Sequence, residues 1–231
     1  MTSRPASQVP ARLVALAVSL ALVAGCSATM APPMLSTHFG APGRAPSGQT
    51  LVQVAMNNQL SGTGQVSIPV ADDLHLELGA DLRPHDESWA MGSAGVRYTV
   101  GPAKVDGRRP STGPFGDVEA GLGAGVGGVK AEVEGQPVDT RSAWERFAFG
   151  GYLGAGFGYR FLPWIAGFAR TRMQVTHADA IPTTTWFSAM GGPEFALGPV
   201  SLHLAGGWVG YENDTDSSHG PLFEAGLGMR F

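Results

Sequence analysis

The chain has one cysteine, little charge and no stretch in which apolar residues recur at helical spacing. A lone thiol, Cys26, cannot form an internal disulfide, which excludes a disulfide-stapled fold. Charged residues make up only 15% of the chain, against about 25% in an ordinary soluble domain, and low charge combined with abundant glycine and repeated alternation suits a tightly curved sheet rather than a disordered chain. A net charge of −4 leaves no basic field to hold nucleic acid. The six histidines (His38, His75, His85, His177, His203, His219) show neither HxxxH nor HxH spacing, which leaves a metal site without support. Long apolar runs are also missing. The longest, Leu13 to Ala24, is too short to cross a bilayer as a helix of about 20 residues.

That run follows Arg4 and Arg12 and has the length of a signal-peptide core, so residues 1–25 are expected to be removed. Loss of the two arginines takes the net charge to −6. The run ends in Val23-Ala24-Gly25-Cys26, which resembles the bacterial lipobox. The resemblance implies diacylglycerol on the Cys26 sulfur and an acyl chain such as palmitate on its amino group; no other cofactor is expected. Ser27, where an Asp would direct retention at the inner membrane, implies sorting to the outer one. Residues 27–49 hold four prolines, three glycines and no apolar period. They read as a flexible tether, so that 26–49 forms a lipidated linker on the periplasmic side.

What the chain does have is glycine, 34 of 231 residues, and alternation. From residue 50 onward, short segments with apolar side chains at every second position are parted by turn residues. Ten such segments span about 50–58, 62–70, 74–83, 88–100, 115–128, 146–161, 164–176, 184–197, 200–211 and 220–231. The last runs Phe223, Ala225, Leu227, Met229, Phe231 on one face, with Glu224, Gly226, Gly228 and Arg230 between. Aromatics stand near both ends of an outward face: Phe147, Phe149, Tyr159 and Phe161 on one segment, Phe187 and Phe195 on another, Phe223 and Phe231 on the last. Two aromatic levels bordering an apolar band favour a membrane barrel over a β-sandwich.

An alternating C-terminal segment closed by Phe is similar to that of small bacterial outer-membrane β-barrels of the OmpA and OmpX type. The expected fold is all-β, a closed antiparallel transmembrane barrel over 50–231 with ten strands, eight being the next count and twelve the third. The resemblance implies the outer membrane of a Gram-negative bacterium, with the C-terminus periplasmic and turns at Asp72-Asp73, 101–114, Leu162-Pro163 and Gly198-Pro199 on that side. The stretch 101–114 is long enough to hide a further strand pair. The outer loops are short apart from 129–145. The expected partners are outer-membrane lipid, lipopolysaccharide and the barrel-assembly machinery, which would engage the last strand; nothing specifies an oligomer.

Inward positions collect the charge: Glu77, Asp81, Asp117, Glu119, Glu194 and Glu224 against Arg97, Arg160, Arg170, Arg172 and Arg230. Near balance of sign in a narrow lumen points to cross-lumen pairs and a filled interior rather than a selective ring. The function that follows is structural or surface-interacting. Inward glycines 121, 123, 125, 150, 154, 156 and 158 keep a narrow solute pore as the alternative. A barrel hydrolase is the remote third, resting on Ser201 and His203 two apart on one strand with Glu194 beside them. His75 with Glu77 has the same standing. Pro193 lacks a ladder donor, so Gly191-Gly192-Pro193 is expected to form a bulge that shifts the register beyond it. The acidic loop 212–219 lacks the glycine of a calcium loop. The glycine run 121–128 lies in a strand pattern without a following helix or Lys-Ser/Thr, so it is not a phosphate cradle.

Overall fold

The computed structural model describes residues 31–39, 49–84, 88–101, 112–128, 146–179, 181–214 and 217–231. Cys26 and the signal segment lie outside them, as do loop 129–145, Asp216, and residues 102–111, where a further strand pair was conceivable.

Among the described residues ten strands form, close to the alternating segments: β1 (Leu51–Asn57), β2 (Gly62–Pro69), β3 (Leu74–Pro84), β4 (Ser88–Val100), β5 (Gly113–Gly128), β6 (Phe147–Leu162), β7 (Ile165–Ala178), β8 (Ile181–Leu197), β9 (Val200–Glu212) and β10 (Ser217–Arg230). Each pairs antiparallel with its chain neighbour, and β1 pairs with β10 to close the barrel. Closure pairs Leu51 with Arg230 and Asn57 with Glu224. Past the strand ends, the Phe231 amide donates to the Thr50 carbonyl at 2.9 Å and the Thr50 amide to the Phe231 carbonyl at 3.2 Å. Closure leaves no open sheet edge, the only way a sheet can satisfy every backbone group without water.

One mouth, here the turn end, carries the start of β1, the end of β10 and three tight connections, 70–73, 163–164 and 198–199. Gly198 takes the left-handed conformation that the two-residue β8–β9 turn demands (φ +65°). The opposite mouth, the loop end, carries the longest connection, between β5 and β6.

Period-2 alternation sorts the side chains to two faces. Along β7, Ala166, Phe168, Arg170, Arg172, Gln174, Thr176 and Ala178 are buried, while Thr171, Met173, Val175 and His177 between them are exposed. Outward positions are apolar almost throughout, among them Val54, Leu78, Val96, Leu122, Leu153, Phe157, Leu204 and Leu227. Buried charge and an exposed apolar skin reverse the usual distribution in a water-soluble protein.

Two expectations need correction. The bulge at Gly191-Gly192-Pro193 is absent: Gly191 pairs with Gly206 and Glu194 with His203, an unbroken register. Pro193 is exposed, and the strand accommodates its missing donor by lapsing from the β9 ladder at Gly192 and Pro193 without an inserted residue. The second correction concerns the tether. Residues 31–39 do not hang outside the barrel; apart from Ser36, which is half-buried, they are fully buried within it.

Candidate functional site

The lumen is filled in two ways. At the turn end and middle the wall supplies the filling: Phe115, Ala166, Phe168, Met190, Ala205 and Leu222 form one apolar cluster. Toward the loop end the filling is a separate piece of chain. Ala31, Met34 and Leu35 pack in a second cluster with Trp89, Met91, Ala148, Tyr152, Ala178 and Ile181. Trp89, Ala148, Ala178 and Ile181 stand at or next to the loop-end limits of their strands, so Ala31 marks the loop end of the segment.

From Ala31 the segment descends along β7 in register. Gln174 clamps Leu35 from both sides, accepting its amide at 3.0 Å and donating to its carbonyl at 2.8 Å. Two residues on, Arg172 donates to the Thr37 carbonyl at 2.6 Å; two further, Arg170 donates to the Phe39 carbonyl at 2.8 Å. Inward side chains recur every second residue on both partners, so an extended segment can run antiparallel inside the wall, its ladder supplied by side chains. Other strands complete the grip. Thr184 accepts the Ala31 amide and Trp186 donates to the Ala31 carbonyl, both at 3.0 Å. Asp81 accepts the Ser36 amide and hydroxyl at 2.7 Å each, and Glu224 accepts the His38 amide at 2.6 Å. Asn57 donates to the Ser36 carbonyl at 3.0 Å.

Glycine gives the segment room. A Cβ on Gly79 would stand 3.2 Å from a Leu35 methyl, and one on Gly123 would stand 3.0 Å from the Met34 sulfur. Other inward glycines are filled by the wall itself: Tyr152 covers Gly121, Glu119 covers Gly154 and Phe115 covers Gly158.

Beneath and around the segment lies a charge belt. Arg97 meets Glu77 at 3.1 Å, and Asp117 and Glu119 at 3.5 Å each. Arg170 meets Asp117 at 3.2 Å and Glu119 at 3.0 Å; Arg172 meets Glu119 at 2.7 Å. Three guanidiniums thus converge on one carboxylate, and every partner is nearly buried. Arg172 also lies over the Tyr152 ring at 5.7 Å. Desolvating these groups is costly, and multiple ion pairing with good hydrogen bonds is what compensates.

The remaining charged lumen residues divide. Arg160 and Glu194 pair at 3.4 Å near the turn end, with Arg160 over the Phe115 ring at 5.9 Å. Glu224 pairs through its second oxygen with His203 Nε2 at 2.9 Å. Arg230 is half-buried at the turn-end limit of β10. Asp81 is held by neutral donors rather than by an arginine. It accepts from Trp89 Nε1 at 2.7 Å, from the Thr63 hydroxyl, and from Ser36.

The three members of a possible hydrolytic triad are brought into one region, Glu194 facing His203 across the β8–β9 ladder with Ser201 two residues along β9, but two of them are engaged by other groups. His203 commits its Nε2 to Glu224, and Glu194 lies against Arg160. Glu77 likewise turns to Arg97, with His75 buried next along the same face. Ser217, Ser218 and His219 belong to β10 and pair with Glu212, Tyr211 and Gly210, so 212–219 is not one continuous loop. No metal-binding group of His, Cys, Asp and Glu occurs among the described residues. The glycine run 121–128 is β5, paired on both sides.

On the outer face Phe147, Phe149, Tyr159, Phe161, Phe187, Phe223 and Phe231 are exposed and Phe195 is half-buried. Phe147 and Phe149 stand at the loop end of β6, Tyr159 and Phe161 at its turn end. Phe187 and Phe223 lie six residues inside their strands, because β8 and β10 begin earlier than the alternation alone indicates.

Sequence reasoning missed the segment 31–39 as a lumen component. Two signals pointed to it. Met34, Leu35 and Phe39 are too apolar for a solvated linker, and six inward acids against five bases leave one acid in want of a donor from elsewhere.

No protein-family model matches the chain, and no curated protein does. Among solved structures the chain is similar to the N-terminal β-barrel domain of Pseudomonas aeruginosa OprF, with 13% identity, a TM-score of 0.40, and coverage of 80% of this chain and 98% of that one.

Proposed function

We propose that the protein is an outer-membrane barrel with a structural role in the cell envelope, its lumen closed rather than conducting. The observation that carries this reading is the filling of the lumen from both halves, under an outer skin that is apolar almost throughout. A charged interior beneath a hydrocarbon-facing wall suits a bilayer, where backbone groups must be satisfied internally. The exposed aromatics at both ends of β6 fit the two interfaces of such a bilayer. The pore alternative rested on glycine-lined space, and Met34, Leu35, Tyr152, Glu119 and Phe115 occupy much of it. Planar-bilayer recording tests the reading: purified protein gives no stable open steps, and sustained unitary conductance overturns it.

On this reading the turn end is periplasmic, as its short turns suggest, and lipopolysaccharide, lipid and the assembly machinery are the partners. The lipid anchor at Cys26 belongs to the same proposal, with its side changed. Cys26 stands five residues before Ala31, and an extended chain covers at most about 17 Å in that span. With Ala31 at the loop end, the acyl chains belong with the outward leaflet rather than with the periplasmic side expected from a simple tether. A Cys26→Ser form that still incorporates labelled palmitate contradicts the anchor without touching the closed barrel.

A further inference from the structure

We propose that the loop-end half of the lumen is a peptide-binding site, that its ligand class is an extended peptide read through its main chain, and that residues 31–39 are its resident occupant. The inference goes beyond the closed-lumen reading, because it treats the segment as a ligand the wall recognises rather than as a fixed part of the barrel.

The contacts are those of a peptide receptor. At Ala31, Leu35, Ser36, Thr37, His38 and Phe39 the wall engages the amide, the carbonyl or both. Side-chain hydrogen bonds from the segment come from Ser36 to Asp81 and between His38 Nε2 and the Ser188 hydroxyl at 2.9 Å. Recognition is polarised: carboxylates accept amides at Ser36 and His38, and guanidiniums donate to carbonyls at Thr37 and Phe39. Such charge-assisted bonds are roughly twice as strong as neutral ones. The same division of labour operates where a peptide adds to a sheet edge, main chain for affinity and pockets for selected side chains. Here the side chains of the wall replace the edge.

The segment is suited to the site. Pro32 and Pro33 carry no amide proton, so two donors that a dry lumen would have to satisfy are absent, and their fixed φ holds the chain extended before it binds. Met34 and Leu35 then fill the space left by Gly123 and Gly79 against Trp89 and Met91. The sequence class implied is Pro-Pro followed by two unbranched or γ-branched apolar residues, entering with its N-terminal side toward the loop end.

The test separates occupant from wall in the full chain. A specific protease site is inserted between Arg44 and Ala45, the folded protein is cut in detergent, and a fluorescent synthetic peptide of residues 31–39 is added in excess. The labelled peptide should replace the cut segment, and unlabelled peptide should compete with it. N-methylation at Leu35, which removes the donor to Gln174, should weaken binding by about tenfold or more, the equivalent of one good hydrogen bond. A Thr37→Val peptide should bind about fivefold more tightly than the parent, since the buried Thr37 hydroxyl has no partner. A second form lacking residues 31–39 should take up the same peptide. No uptake by either protein, or equal binding of the N-methylated peptide, overturns the proposal. Conductance of the cut protein reports separately: a peptide that binds while current flows keeps the site and overturns the closed-lumen reading.

Discussion

The two halves of the lumen differ in what fills them. At the turn end the wall fills itself, with Phe115 and Phe168 projecting from the strands that form the barrel. At the loop end the filling is Ala31, Met34 and Leu35, joined to the wall through noncovalent contacts and through the chain that leads to β1. A wall that packs on itself cannot be emptied without being remade, whereas a segment held by hydrogen bonds to its backbone can in principle be withdrawn with the ladder intact. The belt of Arg97, Arg170, Arg172, Asp117 and Glu119 lies where the halves meet and serves both: Arg170 and Arg172 hold Glu119 and the segment carbonyls at once.

Substitution at the turn end should cost most. Phe115→Ala removes an aromatic ring packed over Gly158 and under Arg160, and such truncations cost about 3–5 kcal/mol. In urea titration of the folded barrel the unfolding free energy should fall by that amount, while amide exchange at residues 35–38 stays protected. Loss of protection there would erase the distinction between the halves.

Asp81→Asn should cost less and act on the other side. It leaves the Ser36 amide and the Trp89 indole facing a group that both accepts and donates, a loss of about 1–3 kcal/mol. Hydrogen exchange at Leu35, Ser36 and His38 should quicken while the turn-end amides of β7 and β9 do not change. Equal acceleration at both ends would show one cooperative core.

The smallest effect has the opposite sign. Thr37→Val replaces a buried hydroxyl without a partner by a methyl of similar size, so stability should rise by about 1 kcal/mol. A measurable decrease would mean that the hydroxyl is satisfied and that the segment sits differently.

Much of the barrel was legible because strand alternation is a local signal. Each inward acid or arginine between outward aliphatics marks its own face, and tight turns such as Gly198-Pro199 mark strand limits. Pro193 misled, because a missing donor can be absorbed by a lapse in one ladder as well as by an inserted residue. The lumen segment was hidden for a different reason. Its prolines are read locally as a linker, and its burial depends on side chains from β1, β3, β7, β8 and β10 that only closure brings together. The excess of one inward acid was visible, but nothing in the sequence says that it concerns Asp81 or that a backbone amide 45 residues away meets that side chain's demand for donors.

The most direct test of the account places a diazirine amino acid at position 34 of the full-length, membrane-assembled protein and maps its light-induced cross-links by mass spectrometry. Intramolecular adducts to the stretches around Trp89–Met91 and Gly121–Gly125 are the predicted result, since Met34 packs there. Adducts to lipid or to other proteins, with none to β4 or β5, would contradict it.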